Sequence, residues 1–248
     1  MKQSIETTIN AILSGYWPRG LFFRSRAHKQ FLLQFKDYID PGGTCLDLGC
    51  GPRAAYKPYI EMHDLEWFGA DVIESIDLPV QTYRRVTNSR IPFDTDFFDV
   101  ICLFNVIEHF TNPESMLTET QRALKPDGIL CGACAFWEME HDSYFHVSHK
   151  GLKELLGRHG FEILSLTPSE YSGVILSAQR FFGGSGRIRT DSVSIRILTA
   201  IMCTANWIPF ITISLLEIIR RTLFRRWYDP FKNCATLYFY ARKVEDKQ

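Results

Sequence analysis

Between Thr44 and Arg53 the chain reads T-C-L-D-L-G-C-G-P-R, and no other stretch restricts the fold as much. Cys45, Leu46 and Leu48 form a short apolar run of the kind that makes a buried strand. Asp47 stands near its end, and Gly49 and Gly51 follow. Two glycines so placed let the backbone turn tightly and approach a ligand with no Cβ in the way. A carboxylate at a strand end beside an open glycine turn suits a polar ligand in the crevice of a parallel sheet. Alone, D-x-G-x-G is a common turn; the rest of the chain gives it weight.

Asp71 follows Asp47 by 24 residues and ends a second apolar run, Trp67-Phe68-Gly69-Ala70. An acid at the tip of the next strand, about 20 residues on, is placed to accept hydrogen bonds from ribose hydroxyls. Further strands are predicted at 83–87, 99–104, 129–136, 161–166 and 236–241. Helices are predicted over 1–15, 22–38, from Pro58 to His63, over 113–124 and over 151–158. Lys125-Pro126-Asp127-Gly128 reads as a turn, and Gly160 as a helix C-cap. Strands alternating with helices predict an α/β fold, a doubly wound and mostly parallel sheet of seven strands. Four parts follow: an N-terminal helical cover (1–40), an α/β core (41–171), a helical insertion (172–233), and a last strand with its tail (234–248).

The series continues through Ile91-Pro92-Phe93, the run from Phe98 to Asn105, Val106-Ile107-Glu108-His109, and Leu124 to Leu130. In that order these motifs closely resemble the class I S-adenosylmethionine-dependent methyltransferases, in the branch of the ubiquinone and menaquinone methyltransferases. The resemblance runs from about Phe31 to Ser165. It implies a Rossmann-like methyltransferase fold, an antiparallel last strand and S-adenosyl-L-methionine as cofactor. Asp47, Gly49, Cys50 and Gly51 would hold the methionine end and Asp71, with Val72 beside it, the ribose. Asn88 would meet the adenine amino group, and Asn105 would lie beside the sulfonium. Two departures stand out: Pro52-Arg53 where the family carries a third glycine, and Thr87-Asn88 where it often has an acid. Arg53 either pairs with the methionine carboxylate or points to solvent.

Lys plus Arg equal Asp plus Glu, 28 each, so charge offers no argument for a nucleic-acid partner. Nineteen phenylalanines point to apolar pockets beyond a minimal core. Seven irregularly spaced cysteines indicate reduced thiols in a cytoplasmic setting, and the N-terminus has no signal-peptide pattern. Cys131 and Cys134 lie three apart on a predicted strand, so they face opposite sides and cannot share a metal.

Within the insertion, residues 197–216 carry no charge but contain Pro209. A run of this length can in principle span a bilayer. Split at Pro209, it becomes two amphipathic helices, the second with Ile211, Leu215, Ile218 and Leu223 on one face. Arginines flank both ends, so residues 191–226 read as a lid over the acceptor, an interfacial membrane anchor, or a span.

Methyl transfer asks the protein chiefly to align the acceptor and exclude water. A hydroxyl acceptor also needs a base, for which His109, His141 and His146 are the candidates near the sheet's carboxyl edge. The spacing of His141, His146 and His149 is not that of a metal site, and a fourth ligand is missing. The expected function is methyl transfer to oxygen or nitrogen of a small-molecule or lipid-linked acceptor. Its competitors are a non-catalytic cofactor-binding or scaffold protein, in which Pro52-Arg53 and Thr87 weaken cofactor binding, and an NAD-linked enzyme.

Overall fold

The computed structural model describes residues 26–74, 82–87, 90–137, 142–169, 211–213, 215–220, 222–224 and 229–244. The helix expected over 1–15, the adenine candidate Asn88, the candidate base His141 and the insertion up to 210 lie outside them.

Seven strands form one sheet in the order β3-β2-β1-β4-β5-β7-β6. They are β1 (Thr44–Leu48), β2 (Glu66–Asp71), β3 (Tyr83–Arg85), β4 (Phe98–Phe104), β5 (Leu124–Ala135), β6 (Phe161–Pro168) and β7 (Thr236–Lys243). The first five pair in parallel, while β7 runs antiparallel to both β5 and β6, as the resemblance implies. Strand order reverses beside β1, so the loops after β1 and β4 part there and open a crevice at the carboxyl edge.

Both faces of the sheet are covered, which is why β1 and β4 read as continuous apolar runs. On one face Leu46, Leu48, Ile101 and Leu103 pack with α4 (Pro113–Ala123) and α5 (His149–Arg158) through Met116, Leu117, Leu152 and Leu156. On the other, Cys45, Val100 and Cys102 meet α1 (Arg26–Leu33), α2 (Phe35–Tyr38) and α3 (Lys57–Met62). Each fully buried Leu, Ile or Phe contributes about 1.5–3 kcal/mol. Polar pins fix α1: the Tyr240 hydroxyl of β7 donates to the Phe31 carbonyl at 2.6 Å, and the Tyr59 hydroxyl of α3 donates to that of Leu32.

Several boundaries differ from expectation. The helix foreseen over 22–38 is broken at Gln34, whose amide donates to the carbonyls of both Gln30 and Phe31. The turn at Lys125–Gly128 lies inside β5, which pairs at Leu124 with Phe98 and resumes at Ile129 with Val100. α5 starts two residues early because the Ser148 hydroxyl accepts from the Gly151 amide and caps it. Cys131 and Cys134 fall into the packing of opposite faces. In the insertion, residues 211–213, 215–220 and 222–223 are helical. Among the described residues no helix is long and apolar enough to cross a membrane.

His28 of α1 stacks on Tyr238 with ring centroids 5.2 Å apart, and its Nε2 lies 3.3 Å from the Tyr56 hydroxyl. Burial pushes its pKa from 6.5 down to about 4. The folded state therefore binds fewer protons there than the unfolded chain, so this contribution is complete above pH 6.5 and is lost as pH falls toward 4. Other groups titrate in the same range, so the readout is the difference between two proteins. Over that interval wild type should lose on the order of 2 kcal/mol relative to His28→Phe, measured by urea unfolding at each pH.

Candidate active site

β1 and β2 pair in register, Leu48 opposite Ala70, which brings their trailing loops together. The Gly49 amide crosses to the Ala70 carbonyl at 2.7 Å, with φ +77° at Gly49 and +65° at Gly51. These are left-handed conformations that glycine adopts without strain. Asp71 ends β2 and joins the two loops. Its Oδ2 accepts from the Gly51 amide at 2.8 Å and its Oδ1 from the Val72 amide at 2.7 Å.

The tip of β4 supplies the other wall. Asn105 has φ +56°, and its backbone is held by an amide bond to the Ala133 carbonyl at 2.8 Å. Its side-chain Oδ1 is buried and accepts no hydrogen bond. A left-handed backbone and a buried unsatisfied carbonyl each cost about 1–3 kcal/mol. Such costs persist where a ligand recovers them, and an orphan acceptor calls for a cationic or N–H donor. Ile107–His109 then form a 3-10 turn, and the Asn112 side chain caps α4 by accepting from the Ser115 amide. Glu108 is fully buried; its Oε1 accepts from the Ala135 amide at 3.0 Å and its carbonyl from the Tyr144 amide at 3.0 Å. It thereby fastens the turn carrying His109 to the end of β5.

A cavity of about 480 Å³ lies between these tips. Gly49, Asp71, Val72, Asn105, His109 and Tyr144 stand in its wall, and Leu48, Val86, Val106 and Met116 make it apolar elsewhere. Its size suits a small organic cofactor. Five of the predicted site residues are thus brought together: Gly49, Asp71, Val72, Asn105 and His109. Gly51 reaches the site through its bond to Asp71, and Cys50 is buried behind the loop with its thiol pushed up by burial.

Asp47 is buried on the opposite face of β1 from Leu48, 3.4 Å from the Trp67 indole nitrogen, and is not in the cavity wall. Burial, with Cys102 and Asp71 nearby, pushes its carboxyl up to about 8 against the opposing indole bond. Its bond from the Trp67 indole ties β1 to β2 two residues before Gly49. His146 is exposed on the loop after β5, its Nδ1 2.9 Å from the Phe136 carbonyl and its Nε2 3.4 Å from the Ser143 hydroxyl. Both ring nitrogens serve that loop. Among the described residues no three His, Cys, Asp or Glu side chains are grouped to hold a metal ion. Tyr144 and the clamping role of Glu108 went unread in the sequence. Tyr144 sits in no motif, and a buried Glu beside a His looks the same as a solvated one.

A family model described as a methyltransferase domain matches residues 22–166, more than half of the chain. The chain belongs to this family, the class I S-adenosylmethionine-dependent methyltransferases. It is 29% identical over 132 residues to the (+)-O-methylkolavelool synthase of Herpetosiphon aurantiacus, covering 47% of each chain. It is 34% identical over 99 residues to a ubiquinone biosynthesis O-methyltransferase of Ruegeria sp., covering 36% of this chain and 39% of that one. The chain thus spans less than half the length of these curated relatives. Among solved structures, the methyltransferase in complex with the Haloferax volcanii Trm112 activator has the same fold, with a TM-score of 0.56 at 16% identity over 90% of both chains. So does phosphoethanolamine N-methyltransferase 2 of Haemonchus contortus in complex with S-adenosyl-L-methionine, with a TM-score of 0.54 at 17% identity over 97% of this chain and 58% of that one.

The family's cofactor fits the residues present. Asp71 keeps acceptor capacity for ribose hydroxyls beyond its bonds from the Gly51, Val72 and Ile73 amides, and Asn105 offers its unsatisfied carbonyl to a donor. A side chain at Gly49 would fail for a reason not visible in the sequence. Its Cβ would lie 2.5 Å from Cγ2 of Val106, in a backbone conformation hostile to branched residues. Gly49→Val should therefore displace Val106, abolish cofactor binding and lower stability by about 2–4 kcal/mol, as read by titration calorimetry and thermal unfolding.

Proposed function

We propose that this methyltransferase moves the methyl group of S-adenosyl-L-methionine to an oxygen or nitrogen atom of a small, apolar or lipid-linked acceptor. The carrying observation is Asn105, strained and unsatisfied at the cavity that Asp71 also faces. When bound, the cofactor supplies a methyl group already activated on a sulfonium. Asp71 accepts the ribose hydroxyls, Asn105 accepts a donor of the methionine part, and the Gly49 turn lets the backbone approach it. Leu48, Val86, Val106 and Met116 exclude water. His109, held by the Glu108 clamp at the cavity wall, takes the proton of an acceptor hydroxyl on a ring nitrogen as the oxygen–methyl bond forms. Relatives named for O-methyl transfer favour oxygen. The exposed aliphatic side chains among the described residues 211–224 favour an acceptor that partitions into lipid. In this reading the protein is cytoplasmic, does not bind nucleic acid, and rests peripherally on a membrane through residues 191–226.

Calorimetric titration with S-adenosyl-L-methionine should give micromolar affinity, and Asp71→Ala should weaken it by about 1–3 kcal/mol. Absence of binding to the wild-type chain would leave the scaffold reading in its place. With a hydroxyl acceptor, His109→Ala should lower kcat by about 10²–10⁴-fold, with cofactor affinity unchanged. A loss smaller than tenfold would take the base role away from His109.

A further inference from the structure

In the helical stretch that begins at 211, the usual polarity of a surface helix is reversed. Ile211, Leu215, Ile218 and Leu223 do share a face, and that face points outward, with Leu215 54% and Leu223 73% exposed. Leu216, Ile219 and Phe224 widen it. Glu217, on the opposite side of the helix, is only 6% exposed. Its two carboxylate oxygens accept from Arg220 at 2.9 and 3.1 Å, and Arg220 also donates to Asn233 Oδ1 at 2.9 Å. Asn233 ends α6 (Pro230–Asn233), which leads into β7. The helix is therefore fastened to the domain by its charged side and presents its aliphatic side to the surroundings. A lid closing over the acceptor would have the reverse arrangement.

We infer that this helix lies flat on an anionic bilayer, its aliphatic face in the acyl boundary and the Glu217–Arg220–Asn233 pin holding the catalytic domain above it. The charge pattern selects the occupant. Between Asp191 and Asp229 the sequence has five arginines and one acid, Glu217, which is already paired with Arg220. In a chain of zero net charge this concentrates positive charge on one segment. Arginines that flank an aliphatic stretch in sequence suit anionic headgroups. A second copy of the chain would bring the same arginines against each other. A protein partner would call for aromatic and hydrogen-bonding groups within the face, whose large side chains are instead Ile and Leu with one Phe, while the Thr222 hydroxyl among them donates to the Ile218 carbonyl of its own helix. Trp207, Trp227 and Tyr228 bracket the stretch in sequence, the residue types that gather at headgroup depth.

This inference rests on the membrane contact in the proposed function, but its test needs neither cofactor nor acceptor. A failure here would leave the methyltransferase reading intact, and a failure to bind cofactor would leave the helix untouched. The full chain is floated with vesicles of phosphatidylcholine alone or with a third of phosphatidylglycerol, at low and high salt. Anionic vesicles should carry about tenfold more protein than neutral ones, and high salt should remove the difference. Leu215→Asp with Leu223→Asp should abolish flotation while leaving thermal unfolding within a few degrees of wild type, because both residues are exposed. Ile218→Asp alone should reduce flotation and serves if the double variant does not fold. Equal flotation on both vesicles, or flotation unaffected by these variants, would overturn the inference. A wild-type dimer that the variants dissociate, without flotation, would assign the face to a second copy. A partner retained without lipid would assign it to protein.

Discussion

The hydrogen bonds that Asp71 accepts from the amides of Gly51 and Val72 hold the site together. They exist because β1 and β2 are parallel and in register, so both strands end at the same edge and their loops leave side by side. One carboxylate then fixes the glycine turn, whose left-handed residues would otherwise sample several conformations. Bonds that backbone amides donate to charged acceptors are among the stronger polar interactions in a fold. With that joint made, the position of Gly49 against Val106 follows, and with it the floor of the cavity.

The opposite wall is built by accumulating cost at one residue and anchoring around it. Asn105 has an unfavourable backbone conformation and an unsatisfied carbonyl, and both are tolerated because β4 is clamped between β1 and β5. Glu108 extends the clamp past the strand end, bonding to the Ala135 amide while its carbonyl holds Tyr144. His109 is thus carried by a turn whose base is buried and bonded, although the residue itself is exposed. Rigid support beneath an exposed functional group shortens the search for productive geometry.

The two faces of the sheet have different chemistry. On the α1 face Cys45, Cys102 and Cys131 lie side by side across β1, β4 and β5, with sulfur separations of 3.7 and 3.5 Å. Burial keeps Cys45 and Cys131 above their usual range, and all six described cysteines are buried free thiols. Asp47 joins this face with its carboxyl also pushed up by burial, while hydrogen bonds with Cys131 and Cys45 pull the Cys102 thiol down against burial. Asp71, His109 and Tyr144 are the ionisable residues that stand in the cavity wall.

The sequence by itself determined the order of strands and helices, the glycine turn after β1, and the acid at the end of β2. Each of these is local: an apolar run of strand length, a pair of glycines, a spacing of about 20 residues. The motifs around Ile91, Asn105 and Leu124 extended that to the family. Which way a side chain points depends on pleat, register and neighbours that are distant in sequence, and those only the tertiary structure decided. Asp47 and Leu48 differ by one pleat, so one braces the buried face and the other lines the cavity. Glu108 became a clamp only because the Ala135 amide, 27 residues on, ended beside it. The period of Ile211, Leu215, Ile218 and Leu223 named a face without saying whether it turned inward, because periodicity is the same for a helix and its inverse. Burial of Glu217, paired with Arg220, which in turn donates to Asn233, turned that face outward.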